Sequence, residues 1–373
     1  MNHDLSDYYP LENIATIDSP ALIIYEEKVI HNVRTAISMV DNISLLRPHV
    51  KTHKSKDVSR LMLKEGIYKF KCATIAEAEM LGMIKAPDIL FAYPLTGPKL
   101  ERFMKLVKTY PESKFSCLID NYEAATRIGT IAVKCDVQIE VFLDLNIGMN
   151  RTGIQPGKKA IELYEKCDQT KGLRIAGLHA YDGHISNLGN AENVILCNIA
   201  FEQVTEMQLE LQKKGFENII LIAGGSPTFP IHAKRKNVEC SPGTFIFWDG
   251  NYQSCCPDQN FLPAALVISR IISIPDHTTL CLDLGHKSIA SENTLGKRIS
   301  YYNAPELIFI AHSEEHLIVK APLNHSYQIG DVLYGLPWHI CPTVALYDNA
   351  YLVSKTQKVS ILKIEARVKN INI

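Results

Sequence analysis

The chain has 373 residues, 46% of them apolar, which suffices to bury a large core and suggests one large domain with a smaller one. Its formal net charge of -1 creates no long-range attraction for polyanions, so neither nucleic acid nor a membrane surface is an expected partner. MNHDLSDYYP at the start lacks an apolar signal core and no later apolar run approaches the ~18 residues of a membrane span, so a cytoplasmic location is expected; ten scattered cysteines without a CxxC pair do not read as a disulfide framework.

The first predicted elements are a strand over 21–25 and a helix over 27–40. From residue 43 to about 240, short apolar or β-branched runs alternate with stretches of helical period, the pattern of a parallel α/β fold. Strands are predicted over 43–47, 68–72, 88–91, 115–119, 138–143, 174–178, 218–222 and 238–240. Helices fall between them, for example over 75–85, 98–110, 121–133, 157–167 and 190–214. Eight consecutive βα units are the count that closes a (β/α)8 TIM barrel, with an open doubly wound sheet as the alternative. After about residue 258, runs such as AALVISRIISIP, PELIFIAHSEEHLIVKAP and KVSILKIEARVKNI, separated by turn residues, predict a C-terminal antiparallel β-domain. The expected division is a barrel over 21–255 and a β-domain formed by 1–20 plus 256–373.

In a barrel the chemistry gathers where the strands end, because the active site is built from the loops at their C-terminal edge. The first predicted strand leads into HVKTHKS, the fifth into GMNRTG, the sixth into HAYDGHIS, the seventh into GGSPT and the eighth into SPGT. Gly225, Ser226 and Thr228, with Gly243 and Thr244, offer unhindered N–H groups and hydroxyls to a phosphate. Either glycine motif alone would be a tight turn; their coincidence after the two strands that commonly hold a phosphate favours a binding loop. Lys51 leaves the first strand toward the mouth, where a lysine can form a Schiff base with an aldehyde cofactor. Arg151 presents a planar fork to a cofactor oxygen, although a helix-capping role is its plain alternative. Near the C-terminus, His339 and Cys341 in WHICPT lie two apart, so on a strand or extended loop they point the same way and pair an imidazole with a thiolate suited to zinc. Standing alone, that pair would more often be a buried histidine beside a buried cysteine.

Taken together, RPHVKTHKS, CATIAEAEML, GMNRTG, YDGHIS, GGSPT, SPGTFIFWD, DLGHKS and PWHICPTV resemble the fold-type III pyridoxal-phosphate enzymes, within them the D-threonine aldolase and D-serine dehydratase group. That resemblance implies that Lys51 carries pyridoxal phosphate, that Arg151 faces its phenolic oxygen, that Tyr181 lies by its pyridine ring and that the glycine loops hold its phosphate. It also implies that His339 and Cys341 bind a divalent metal, zinc or manganese, that engages the β-hydroxyl of a D-amino acid. The implied outcome is retro-aldol cleavage to glycine and an aldehyde, or elimination from D-serine to pyruvate and ammonia. Lys51 and His184 are the candidate general bases; some relatives carry a further histidine after the YDGH motif, where Ser186 and Asn187 stand here. An amino-acid racemase and a non-catalytic pyridoxal-phosphate carrier share the barrel and rank below the lyase. Homodimerisation is implied by the resemblance alone.

Overall fold

The computed structural model describes residues 9, 11, 14–186 and 190–373, excluding the side chain of Asn190; Asn187 therefore lies outside the described residues. Two compact units result. One comprises the described residues up to Thr35 with Thr52–Asp57 and Thr244–Arg367, the other Ala36–Lys51 with Val58–Gly243 and Val368–Ile373.

The first elements are β1 (Ala21–Tyr25), α1 (Glu26–Ser38), α2 (Lys56–Lys64), β2 (Lys69–Cys72), α3 (Ile75–Met83), β3 (Asp88–Phe91), α4 (Pro98–Thr109) and β4 (Lys114–Ile119). They are followed by α5 (Tyr122–Lys134), β5 (Ile139–Leu145), α6 (Lys158–Asp168), β6 (Leu173–Ala180), α7 (Asn190–Lys213), β7 (Ile220–Ala223), α8 (Phe229–His232) and β8 (Val238–Cys240). Strands β2 to β8 form one parallel sheet in sequence order. Local signals start the helices: Thr74 caps α3 by accepting from Glu77 N, and Asn121 caps α5 by accepting from Ala124 N.

The first of the eight expected strands, over 43–47, does not form. Ile43–Leu45 is instead a 3-10 turn capped by Asn42. Beyond it the chain is extended but pairs only through single bridges, Leu46 with Cys240 of β8 and His49 with Lys71 of β2. Pro48 lies between these bridges and has no N–H to extend a ladder. Its carbonyl accepts from Lys71 N at 2.9 Å, while Arg47 N donates to Cys240 O and Val50 N to Lys71 O, each at 2.9 Å. Both edges of the seven-stranded sheet thus hydrogen-bond to the same short segment.

Alternation along the strands sorts one sheet face into layers. Toward the strand starts, Arg47 reaches Asp88 at 2.5 Å and Glu239 at 2.7 Å, Lys69 pairs with Glu239, and Glu140 pairs with Lys114 at 2.7 Å and with Arg174. Next come the packed apolar side chains of Leu90, Leu118, Phe142, Ala176 and Ile222. Farther along, at the strand ends, stand Lys71, Asp144 and His179. A polar group therefore appears where the apolar packing stops.

The other unit adds α9 (Gly250–Cys255), β9 (Ala265–Ser273), β10 (Thr279–Leu282), β11 (Ile299–Tyr301), β12 (Ile308–His312), β13 (Leu317–Lys320) and β14 (Val332–Pro337). After them come α10 (Ile340–Val344), β15 (Asn349–Val353) and β16 (Val359–Lys363). Its nine-stranded sheet is antiparallel except where β1 runs parallel to β15, and β1 also pairs antiparallel with β9. Tyr9 and Ile17 pack with Ile23, Tyr25, Leu266 and Val353 in its core. Among the described residues, no helix is long and apolar enough to cross a membrane.

Candidate active site

Lys51 is exposed just beyond the segment that bridges β2 and β8, with its backbone N–H donating to His49 Nδ1 at 3.1 Å. In the loop after β5, Asn146 Oδ1 accepts from Gly148 N and Asn150 N, folding GMN back on itself and presenting Arg151. Gly148 has φ of 128°, and a side chain there would collide with the His184 imidazole, 2.5 Å from the position of its Cβ. His184 is itself exposed. The Arg151 guanidinium lies 5.3 Å from the centre of the Tyr181 ring, which joins these two predicted residues.

The loops after β7 and β8 form a cradle rich in donors. Gly225 N donates to Thr228 Oγ1 at 3.3 Å, and Gly243 N donates to Ser226 Oγ at 3.3 Å. Both contacts are long, so an anion with better geometry can take over these donors. Ser241, unremarked in the sequence, has a buried hydroxyl with no hydrogen-bond partner among the described residues. A Cβ on Gly225 would come within 3.2 Å of the Tyr181 ring, so the residue leaves room that any other side chain would fill. An orphaned hydroxyl, two weakly engaged N–H groups and a bare backbone beside an aromatic ring suit the phosphate and ring of pyridoxal phosphate. Thr244, predicted with this cradle, is buried, and its hydroxyl lies 3.6 Å from Cys341 Sγ.

Beneath the cradle sits a group that the motif reading passed over. Thr228 donates to Asp182 Oδ1 at 2.9 Å, the other carboxylate oxygen lies 2.8 Å from His232 Nε2, and Cys197 Sγ is 3.3 Å from that nitrogen. Burial works against charge on Asp182, but bonding to His232 and Thr228 outweighs it and holds the carboxyl below its usual range. Burial pushes the Cys197 thiol up to about 12. Asp182, Cys197 and His232 are a donor set close enough to share an ion, with ligand atoms within 4.8 Å of one another. Through the bond from Thr228 to Asp182, the same group also supports the cradle.

A second unforeseen group lies at the strand ends. Lys71 Nζ is 2.7 Å from His179 Nε2, His179 Nδ1 is 2.7 Å from Asp144 Oδ1, and Thr152 donates to Asp144 Oδ2 at 2.9 Å. Lys71, His179 and Asp144 are buried. Burial, then the charge on Lys71, lowers the His179 pKa, so the imidazole is neutral: Nδ1–H donates to Asp144 and Nε2 accepts from Lys71. A lysine between buried Phe70 and Cys72 on a strand was the available clue, since alternation sends it to the opposite face.

In the other unit, His339 and Cys341 are not on a strand. His339 is the N-cap of α10, and Cys341 lies in that helix's first turn. The turn forms because buried Asp249 accepts from Ile340 N at 3.0 Å, while Thr343 donates back to the His339 carbonyl at 2.8 Å. The two side chains still meet, and their contact, together with Glu292 at 2.5 Å from Nδ1, outweighs burial and lifts the His339 pKa to about 9. Cys341 Sγ also lies 3.2 Å from Thr52 Oγ1. Nitrogen and sulfur are donors that suit zinc, although among the described residues no third His, Cys, Asp or Glu ligand atom joins this pair within 4.8 Å.

Comparison with known proteins places these sites in context. The profile described as "Alanine racemase, N-terminal domain" matches residues 24–249, and that described as "Putative serine dehydratase domain" matches residues 264–353. A D-threonine aldolase of Arthrobacter sp is 26% identical over 365 residues, spanning 96% of this chain and 95% of that protein. A D-serine dehydratase of Dictyostelium discoideum is 22% identical over 396 residues, spanning 93% of this chain and 96% of that protein. The crystal structure of a D-threonine aldolase from Filomicrobium marinum superposes with a TM-score of 0.88 at 24% identity, covering 95% of this chain and 97% of that one.

Proposed function

The chain belongs to the alanine racemase N-terminal domain family and is a pyridoxal-phosphate-dependent lyase, and on that premise we propose that it cleaves D-configured β-hydroxy amino acids, D-threonine among them, to glycine and an aldehyde. The observation that carries this reading is the pairing of a cofactor-type cradle around Gly225 and Ser241 with a separate nitrogen and sulfur donor pair at His339 and Cys341. A racemase has no use for the second. Full-length similarity to a D-threonine aldolase supports the aldol direction.

In this reading Lys51 holds the cofactor through its amine and Arg151 donates to the phenolic oxygen. Tyr181 flanks the pyridine ring, and Gly225, Ser226, Thr228, Gly243 and Thr244 hold the phosphate. When bound, pyridoxal phosphate supplies an electron sink for negative charge at Cα. His339 and Cys341 hold the divalent metal, zinc or manganese, whose chemistry is Lewis acidity toward a hydroxyl. His184, packed over Gly148, is available to move a proton in the loop after β6. The segment of residues 46–50 acts as the eighth strand of a (β/α)8 barrel, supported by its hydrogen bonds to both sheet edges. The division near residue 255 is kept, with β1 (Ala21–Tyr25) assigned to the β-domain sheet through its pairing with β9 and β15; a cytoplasmic homodimer completes the proposal.

Elimination from D-serine is the second reading, favoured by the match of residues 264–353 to a serine dehydratase domain. Purified protein supplied with pyridoxal phosphate and Zn2+ or Mn2+ is to be offered D-threonine, D-serine and their L-forms, with and without EDTA. Glycine and acetaldehyde from D-threonine, lost with EDTA, are expected. Pyruvate and ammonia from D-serine would favour the dehydratase, and EDTA-insensitive interconversion of D- and L-forms would overturn the lyase.

A further inference from the structure

Arg47 and Lys71 are basic side chains buried within the described residues of the parallel-sheet unit, and they are handled in opposite ways. Arg47, 1% exposed, touches two carboxylates directly, those of Asp88 and Glu239. Lys71, 5% exposed, touches none: its hydrogen-bond partner is the acceptor nitrogen of His179, and Asp144 lies one imidazole farther away. Removing an ammonium from water without a contacting anion costs several kcal/mol, roughly, and the group escapes by releasing its proton. The charged and titratable groups around Lys71 do not prevent this. Lys51 and Arg47 repel a charge there, Asp144 and Asp182 attract it, and the Tyr181 ring lies 5.4 Å away. Burial dominates, with Lys51 next, and brings the Lys71 pKa down to about 7. A lysine in this state carries a free lone pair beside the groups assigned to the cofactor.

We propose that Lys71 is the proton acceptor of the cleavage reaction, a buried amine backed by His179 and Asp144 that takes the proton leaving the substrate's β-hydroxyl. The inference rests on the aldolase reading above. As the Cα–Cβ bond breaks, the β-oxygen loses its proton and becomes the aldehyde oxygen, and the electron pair of the broken bond passes to Cα. The proton moves onto the Lys71 Nζ lone pair. A proton from water is delivered to Cα to complete glycine, and Lys71 releases its own proton to water, so no proton is gained or lost over the cycle. Protonated Lys71 donates to His179 Nε2, and Asp144, held by Thr152, compensates the new charge through the imidazole. Among the described residues, no carboxylate backs Lys51 or His184 in this way, which is the structural reason to place the base at Lys71.

Three measurements on the cofactor-loaded protein test this. In protein labelled with 13C at lysine Cε, the NMR resonance absent from Lys71→Arg should titrate near pH 7; one that stays protonated through pH 9 would overturn the proposal. Lys71→Ala should retain the cofactor's visible absorbance yet lose roughly 100-fold or more in kcat/KM for D-threonine. Added ethylamine or methylamine should restore part of that rate, whereas a loaded variant with full activity, or one that no amine rescues, counts against the role. Asp144→Asn should move the acid limb of kcat/KM to lower pH, because removing the anion weakens the proton's hold on Lys71; a slower enzyme with an unmoved limb contradicts the relay. If the wild type itself leaves D-threonine intact, the aldolase reading fails. If the wild type cleaves it and Lys71→Ala cleaves it equally well, only the assignment of the base fails.

Discussion

Arg47 and Lys71 show how one buried environment stores a charge at one residue and sheds it at another. Burial opposes charge on Asp88, but Arg47 prevails and keeps its carboxyl below the ordinary range. That pair therefore stabilises the fold above the ordinary carboxylate range and ceases to do so as pH falls through the lowered value. Asp88→Asn should cost about 3–5 kcal/mol at neutral pH by stranding half of Arg47's charge, read as a lower midpoint in urea, with the loss shrinking in strong acid. Lys71 has the opposite sign. Its pKa of about 7 lies below the ordinary 10.5, so the unfolded chain binds more protons between these values and stability declines as pH drops across that window. Lys71→Met should raise the melting temperature more at pH 6 than at pH 10, and an equal rise at both would contradict a neutral amine. Lys51→Ala should abolish the visible absorbance of covalently held cofactor while leaving the melting temperature of cofactor-free protein nearly unchanged, as expected for an exposed side chain. Lys51 stands out as a candidate because it sits in a dense motif. Lys71 does not, since a lone lysine in a strand declares its importance only once burial and the distant partners at 144 and 179 are known.

At the scale of elements, the sequence period located the repeated strands and helices well but misjudged two short segments. Residues 43–47 have strand-like composition, yet Asn42 caps a 3-10 turn and Pro48 removes a ladder donor, so hydrogen bonding rather than hydropathy decides the outcome. WHICPT likewise suggests extension. Asp249, 91 residues earlier than Ile340, supplies the acceptor that lets α10 begin there, a long-range contact invisible to local pattern. The cradle after β7 depends on similar support, because Thr228 is held by Asp182 while accepting from Gly225. Thr228→Val and Asp182→Asn should each weaken pyridoxal-phosphate affinity by roughly tenfold, as loss of a hydrogen bond to a charged group does. Measured by fluorescence titration, the double variant should be little worse than either alone, and full additivity would mean that Asp182 acts elsewhere.

For the molecule as a whole, the proposed cofactor cradle and the proposed metal pair use different residues, so loss of one ligand should leave the other in place. His339→Ala and Cys341→Ala should each lower bound zinc, counted by elemental analysis, without changing the cofactor's absorbance; retention of a full equivalent would point instead to Asp182, Cys197 and His232. The division into an α/β part and a later β part was visible in the change of texture near residue 258. The place of β1 was not, because it is predicted beside the barrel elements but pairs with β9 and β15. That pairing sets a clock on synthesis. Ile23 is in register with Tyr351 of β15, so β1 must wait for nearly all of the following chain before its sheet can close. The parallel sheet finishes sooner, when Cys240 emerges to meet Leu46. A ribosome paused between those points should display a folded, protease-resistant α/β unit with β1 still open to an early-binding chaperone.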